Sequence, residues 1–244
     1  MAQNIYDDEQ FFTAYGQLPR SSSGLDAAPE WPALRAMLPP LHGLRVVDLG
    51  SGPGWFCQWA ATAGAEQVLG IDLSEKMLAT AREHTAHPQV SYERQDLDAL
   101  VLPPLAFDVA YCSLTLHYLT DLPRLLTVVA QAVVPGGVFV CSLEHPVFTA
   151  PSSAAFVVDG DGDATWPLDR YFDEGPRITD WLAPGVVKQH RTLTTYVTGL
   201  LDAGFALTSL VEWGPSSADL AAHPDWAAEA ERPAFLLLGA TRLP

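Results

Sequence analysis

Long apolar runs and cysteines are scarce in this sequence, and each scarcity excludes a class of protein. No stretch of about 18 consecutive apolar residues occurs, so we expect no transmembrane helix. Residues 7–9 are acidic and lack the basic and apolar regions of a secretion signal. Cys57, Cys112 and Cys141 have no metal-ligand spacing, and their odd number favours reduced thiols. We therefore expect a cytoplasmic protein without a metal site.

Basic residues are also few. Lysine and arginine total 13 against 29 aspartates and glutamates, which gives a net charge of −16 at pH 7. Proteins that grip a phosphate backbone usually carry a basic face, and no stretch of this chain is basic. We therefore expect neither a nucleic-acid partner nor a membrane partner. The simplest role of the acidity is solubility.

Glycines recur at alternate positions after the β-branched residues 46 and 47 and the acid at position 48. Gly50, Gly52 and Gly54 predict a tight loop between a strand and a helix, because a residue without Cβ lets the backbone turn and approach a ligand. A dinucleotide fingerprint would need its third glycine at position 55, which is tryptophan. The Gly-Lys-Ser/Thr ending of a triphosphate loop is absent as well. A nicotinamide dehydrogenase is therefore a poor interpretation.

Three acids follow three short strand-like segments. Asp48 ends the first, and Asp72 ends the second, where an acid is placed to bind both hydroxyls of a ribose. Asp96 follows residues 90–94, and a carboxylate there can accept a hydrogen bond from the exocyclic amine of a purine. A glycine loop, a ribose acid and a base acid in this order predict a nucleoside ligand that lacks a diphosphate.

Together these segments resemble class I S-adenosylmethionine-dependent methyltransferases of the small, type 11 kind. The resemblance is clear from Asp48 to about Leu143 and looser beyond. It implies an α/β fold with a Rossmann-like, seven-stranded, mostly parallel sheet, whose last strand is antiparallel, and with helices on both faces. The matching segments are DLGSGPG (48–54), GIDLS (70–74), QDLD (95–98), FDVAYCSLTLHYL (107–119) and VPGGVFV (134–140).

The resemblance also implies S-adenosyl-L-methionine as the cofactor. Ser113 would meet its methionine amino group, and Leu73 and Met77 would cover a face of its adenine. Arg20 would pair with the methionine carboxylate, although aromatic packing of Tyr15 beside a solvated arginine explains these two residues equally well. The residues predicted to bind the cofactor are Tyr15, Arg20, Asp48, Gly50, Ser51, Gly52, Asp72, Leu73, Met77, Asp96, Leu97 and Ser113.

We expect a single domain over residues 1–244 with two additions to the sheet. Residues 1–45 would form an N-terminal helical cover over the cofactor, with a loop from Pro19 to Gly24. Residues 146–190 interrupt the alternation of strands and helices and are rich in aromatics, so they predict a lid insertion after strand five. A satellite core or a homodimer contact is an equally good interpretation of this insertion.

Two histidines follow the predicted fourth and fifth strands. Histidine titrates near neutrality, so we predict His145, ahead of His117, as the catalytic base. A hydrogen bond to the backbone is the simpler role for each of them.

The predicted reaction is in-line transfer of the methyl group to an oxygen, nitrogen or carbon of a small molecule, with release of S-adenosylhomocysteine. Methyl transfer to tRNA or another macromolecule, and a non-catalytic module that binds the cofactor, are the alternatives.

Overall fold

A computed structural model describes residues 3–244 and alternates strands with helices as far as the fifth strand. The strands are β1 Arg45–Leu49, β2 Gln67–Asp72, β3 Val90–Arg94, β4 Phe107–Ser113, β5 Val133–Glu144, β6 Val157–Val158, β7 Ala164–Thr165, β8 Gly175–Thr179, β9 Val186–His190, β10 Phe205–Trp213 and β11 Phe235–Arg242. The α-helices are α1 Glu9–Gly16, α2 Pro19–Ser22, α3 Trp31–Met37, α4 Trp55–Thr62, α5 Glu75–His84, α6 Leu122–Ala132, α7 Pro146–Thr149, α8 Leu193–Asp202 and α9 Ser217–Ala222. Short 3₁₀ helices cover Ile5–Asp7, Leu25–Ala27, Leu97–Ala99, Leu116–Tyr118 and Pro224–Glu231.

Seven of the strands form one sheet in the order β10-β11-β5-β4-β1-β2-β3. The five strands from β3 to β5 in this order are parallel, whereas β11 is antiparallel to both of its neighbours. The predicted α/β fold with a mostly parallel sheet and an antiparallel last strand is confirmed. The carboxyl ends of the parallel strands meet at one edge, where open α/β sheets bind ligands.

Each face of the sheet buries a core, because successive side chains of a strand point to opposite sides. Val47 and Leu49 of β1 join the core that α6 and α8 cover. Val46 joins the opposite core, which α3 and α4 cover. Helices therefore lie on both faces, and the central strands are fixed from both sides. Within residues 3–244, every helix falls short of the length or hydrophobicity needed to span a bilayer.

The N-terminal cover differs from the prediction at one place. Pro19–Ser22 was expected in a loop but forms α2, because proline suits the first turn of a helix, where its missing N–H is not needed. The cover is also attached to the sheet edge. Asp7 accepts hydrogen bonds from Ser74 Oγ at 2.6 Å and from the N–H of Lys76 at 3.2 Å, both at the start of α5.

Residues 146–190 fold into α7 and two small antiparallel sheets, β6–β7 and β8–β9. The β8–β9 hairpin is joined to the cover through Gln3. Its Nε2 donates to the carbonyl of Gly185 at 3.0 Å, and its Oε1 accepts from the N–H of Val187 at 2.9 Å. Phe11 of α1 is buried in a third, small core with residues of this hairpin. The insertion therefore shares a satellite core with the N-terminal cover.

Candidate active site

A cavity of about 450 Å³ lies along the carboxyl edge of the parallel strands, within the size range of small-molecule sites. It extends from Asp96 after β3, past Asp72 and Asp48, to Glu144 at the end of β5. Phe148 of α7 and other aromatic side chains also line it. The predicted cofactor residues on its wall are Tyr15, Arg20, Asp48, Gly50, Ser51, Asp72, Leu73, Asp96, Leu97 and Ser113.

The glycine loop approaches its neighbours too closely for side chains. Gly50, Gly52 and Gly54 have φ angles of +79°, +53° and +82°, in the left-handed region that favours glycine. A Cβ on Gly50 would lie 2.2 Å from Oγ1 of Thr115, and one on Gly54 would lie 2.2 Å from the hydroxyl of Tyr92. The loop therefore brings its backbone against the segments after β4 and along β3, and it directs the N-terminus of α4 towards the cavity.

Asp72 is held by the loop that it faces. Its Oδ2 accepts from the N–H of Gly52 and its Oδ1 from the N–H of Ser74, both at 2.8 Å. Burial raises the pKa of Asp72, and these N–H donors oppose the rise. Each carboxylate oxygen has a second lone pair, so Asp72 can still accept from two ribose hydroxyls. Gly52 does not line the cavity but positions Asp72.

Asp96 offers an acceptor that nothing in the described chain uses. Its Oδ1 accepts from the N–H of Asp98 at 3.0 Å and caps the 3₁₀ helix Leu97–Ala99. Its Oδ2 is buried and has no hydrogen-bond partner within residues 3–244. A buried carboxylate oxygen without a donor is costly, and an exocyclic amine would satisfy it. The site therefore fits the adenosine part of the cofactor.

Asp48 is the most deeply buried of the three acids. Cys57 Sγ donates to its Oδ2 at 3.3 Å. Burial raises the pKa of Asp48 to about 7, with the charge of Asp72 as a smaller contribution and the thiol opposing both. A cationic ligand in the cavity would favour the ionised carboxylate.

Two predicted cofactor contacts meet competing arrangements. Arg20 forms a bidentate pair with the buried Glu30, with both N–O distances at 3.0 Å. Glu30 occupies two of the five guanidinium donors, so pairing of Arg20 with a methionine carboxylate stays a prediction. Met77 is buried among the residues of α5 and does not line the cavity, whereas Leu73 does. Of this predicted pair only Leu73 reaches the cavity wall, and its contact with an adenine stays a prediction.

The loop after β4 has an unusual backbone. Leu114 has a φ of +49°, which is unfavourable for a side chain with a Cβ and is common at functional sites. Strand β5 holds it in place, because the N–H of Leu114 donates to the carbonyl of Ser142 at 2.8 Å. The hydroxyls of Ser113 and Ser142 are 3.0 Å apart. Ser113, at the end of β4, and His117, beyond this turn, both lie on the cavity wall.

His117 lines the cavity. Its hydrogen bond to the backbone makes the other ring nitrogen, Nε2, a hydrogen-bond donor rather than an acceptor. Its Nδ1 accepts from the N–H of Glu144 at 3.3 Å. Burial lowers the pKa of His117 to about 4, so the ring is neutral near pH 7. A neutral ring that accepts at Nδ1 carries its proton on Nε2. In this tautomer Nε2 can donate a hydrogen bond and cannot take a proton from an acceptor.

The position of His145 contradicts its predicted role as the preferred base. Its Nδ1 accepts from the N–H of Val147 at 3.0 Å and caps α7, and its Nε2 is 2.9 Å from Glu212 of β10. His145 is buried and does not line the cavity. The sequence located the residue at the end of strand five, but it did not reveal that the ring turns towards β10.

Glu144 and Lys188 are functional candidates that the sequence analysis did not assign. Their side chains form an ion pair at the end of β5, and both are largely buried. Lys188 also lies 4.7 Å from the ring centre of Trp181. Glu144 Oε2 is buried without a hydrogen-bond partner in the described chain. The signal in the sequence was the acid directly before His145, at the end of strand five, which fitted a pocket acid and an ordinary solvated residue alike.

The methyltransferase-domain family model matches residues 47–141. A crystal structure of an S-adenosylmethionine-dependent methyltransferase from Mesorhizobium loti is 55% identical, with a TM-score of 0.86 over 90% of this chain and 100% of that one. A Listeria monocytogenes structure assigned to the same class is 41% identical, with a TM-score of 0.82 over 89% of this chain and 100% of that one.

Curated relatives extend the comparison. An uncharacterised Haemophilus influenzae protein is 30% identical over 98% of this chain and 97% of its own length. A ubiquinone biosynthesis O-methyltransferase from Sinorhizobium medicae is 34% identical, but the match covers only 49% of this chain and 49% of that relative. With the nearly full-length similarity to the two solved structures, these matches establish that the chain belongs to the S-adenosylmethionine-dependent methyltransferases.

Proposed function

We propose that this enzyme transfers the methyl group of S-adenosylmethionine to a small molecule bound over the carboxyl ends of β4 and β5. The observation that carries the proposal is the row of Asp96, Asp72 and Asp48 along one cavity wall, with a buried, unpartnered oxygen on Asp96. When bound, the cofactor supplies an electrophilic methyl group on a sulfonium.

The residues of this chain would mainly bind and orient. Asp96 accepts from the adenine amine, Asp72 from the ribose hydroxyls, and the backbone of the glycine loop faces the methionine part. Fixing the reactants in line supplies much of the rate of a displacement reaction. Phe148 and Trp181, on the insertion, line the cavity and would exclude water from it.

Several observations favour a small acceptor over a macromolecule. The net charge of −16 opposes a polyanionic partner. The insertion and the N-terminal cover are hydrogen-bonded to each other through Gln3, beside the cavity that both of them line. An oxygen acceptor is supported by the similarity to an O-methyltransferase over half of this chain.

The experiment is calorimetric titration with S-adenosylmethionine and with NAD, on the wild type and on Asp72→Ala. We expect binding of S-adenosylmethionine alone, and its loss in the variant. Glu93→Ala, which removes an exposed acid of β3 outside the cavity, is the matched control and should bind like the wild type. Comparable NAD binding, or full affinity in Asp72→Ala, would contradict the proposal. Mass spectrometry of acceptor mixtures then separates an enzyme from a module that merely binds the cofactor.

A further inference from the structure

The end of the cavity beyond β4 is chemically unlike the end with the three acids. The sheet order places the adenosine acids after β3 and β2, whereas His117 and Glu144 follow β4 and β5 on the other side of β1. Phe148, Trp181 and Tyr118 contribute aromatic walls there. If the cofactor lies as proposed above, this end receives the methyl acceptor.

Two polar groups at this end have complementary unused hydrogen-bonding capacity, one as a donor and the other as an acceptor. His117 is neutral with its proton on Nε2, and no partner of that nitrogen occurs among residues 3–244. Glu144 has one oxygen paired with Lys188 and the other buried without a donor. The backbone of Glu144 itself holds His117, so the donor and the acceptor are fixed next to each other.

A ligand that satisfies both groups must accept one hydrogen bond and donate another. A carboxylate accepts only, and it would also be repelled by Glu144. A protonated amine donates only, and it leaves the N–H of His117 without a partner. A hydroxyl does both through a single oxygen. The aromatic walls favour a flat ring as the carrier of this hydroxyl.

We propose that the acceptor is a small phenol, with Glu144 as the catalytic base and His117 as the donor that holds the phenolic oxygen. This assignment rests on the proposed methyl transfer. The O–H bond breaks and its proton moves to Oε2 of Glu144. An electron pair of the oxygen forms the new O–CH₃ bond, and the S–CH₃ bond breaks with its electron pair staying on sulfur. The products are an aryl methyl ether, S-adenosylhomocysteine and a protonated Glu144, which later releases the proton to solvent.

The first test compares three ligands with the same ring. Phenol, benzylamine and benzoate are titrated by ligand-observed NMR onto protein saturated with S-adenosylhomocysteine. We expect phenol to bind at least tenfold more tightly than the other two. Preference for benzoate or benzylamine, or no phenol binding, would overturn the acceptor assignment. Failure of S-adenosylhomocysteine itself to bind would instead contradict the proposed function, so the two failures are distinguishable.

The second test asks whether Glu144 acts as a base. Glu144→Gln should lower kcat for phenol by about 10²-fold to 10⁴-fold while leaving its Kd nearly unchanged. With 4-nitrophenol, which ionises near neutral pH and needs no base, the variant should regain most of the wild-type rate. Equal losses with both phenols would show a structural role and overturn the assignment. Because Lys188 loses its counter-ion in this variant, Glu144→Gln/Lys188→Met is tested in parallel, and the same rescue is expected.

Discussion

Burial of the Asp48 carboxyl should make the ligand-free protein less stable as the pH rises. Its pKa is raised from 3.8 to about 7 in the folded state. Between these values the folded protein keeps a proton that the unfolded chain has released, so the free energy of unfolding falls by up to about 1.4 kcal/mol per pH unit. The loss is absent below pH 4 and complete above pH 7, where it amounts to about 4 kcal/mol.

Asp48→Asn removes this titration while keeping the size of the side chain and an oxygen that can accept from Cys57. The stability advantage of the variant over the wild type should therefore grow from pH 5 to pH 8 and then level off. For a chain of this size 1 kcal/mol corresponds to a Tm change of about 2–4 °C, so the full advantage would be about 8–16 °C. Differential scanning calorimetry at half-unit pH intervals, without cofactor, measures it.

Asp108→Asn is the matched control with the opposite sign. Arg45 donates to the Asp108 carboxylate and lowers its pKa, so this acid stabilises the fold above its unfolded pKa and loses that contribution as the pH falls. The control variant should lose most stability near neutral pH. If instead the Asp48→Asn and wild-type profiles run parallel from pH 5 to pH 8, the buried-acid reasoning is refuted. Saturating S-adenosylmethionine, whose sulfonium is cationic, should shrink the advantage.

Three further changes test the site and its surroundings. Asp96→Asn keeps the helix cap but removes the charged acceptor, so the calorimetric Kd for S-adenosylmethionine should rise about 10-fold to 100-fold, and an unchanged Kd would contradict the adenine assignment. Gly50→Ala places a Cβ against Thr115 at a φ of +79° and should abolish cofactor binding. Adding Thr115→Gly should restore it partly, because the backbone strain persists; wild-type affinity of the single variant would refute the steric argument. Asp7→Ala removes the acceptor of Ser74 Oγ and should cost about 1 kcal/mol in urea unfolding at pH 7. Because the pKa of Asp7 is lowered, this cost should vanish at low pH, and a pH-independent cost would count against it.

The strands were predictable because short, β-branched segments ending in an acid are a local signal. The predicted strand-like segment over residues 90–94 is β3, and Asp72 ends β2 as predicted. Proline and serine in Pro19–Ser22 suggested a loop, yet the same proline starts a helix there. Ser216 and Asp219 formed an unrecognised capping box at the start of α9. Such polar turns can form either a loop or the start of a helix, and tertiary contacts decide which of the two forms.

The sequence predicted at which edge of the sheet the site lies, but not the directions in which its side chains point. Strand order brings together the acids at the ends of β1 and β2 and the acid after β3, and their order along the chain was enough to predict a nucleoside ligand. The direction of a side chain after a strand depends on its partners, which are distant in sequence. The ring of His145 points towards Glu212, and the ring of His117 points towards the backbone of Glu144. The sequence alone therefore could not show which ring nitrogen of each histidine carries the proton. The same limit concealed the pair of Glu144 with Lys188.

The position of β11 in the sheet has a consequence for the order in which the sheet is completed during synthesis. Chains emerge from the ribosome in sequence order, and early segments begin to fold first. Strand β10 is made before β11 but reaches the sheet through it, and β5 remains an open edge until then. Phe235 of β11 pairs with Glu144, and the carbonyl of Ala234 accepts from the N–H of His145. The proposed acceptor end of the cavity therefore lacks the wall formed by Ala234 and Phe235 until β11 has been made.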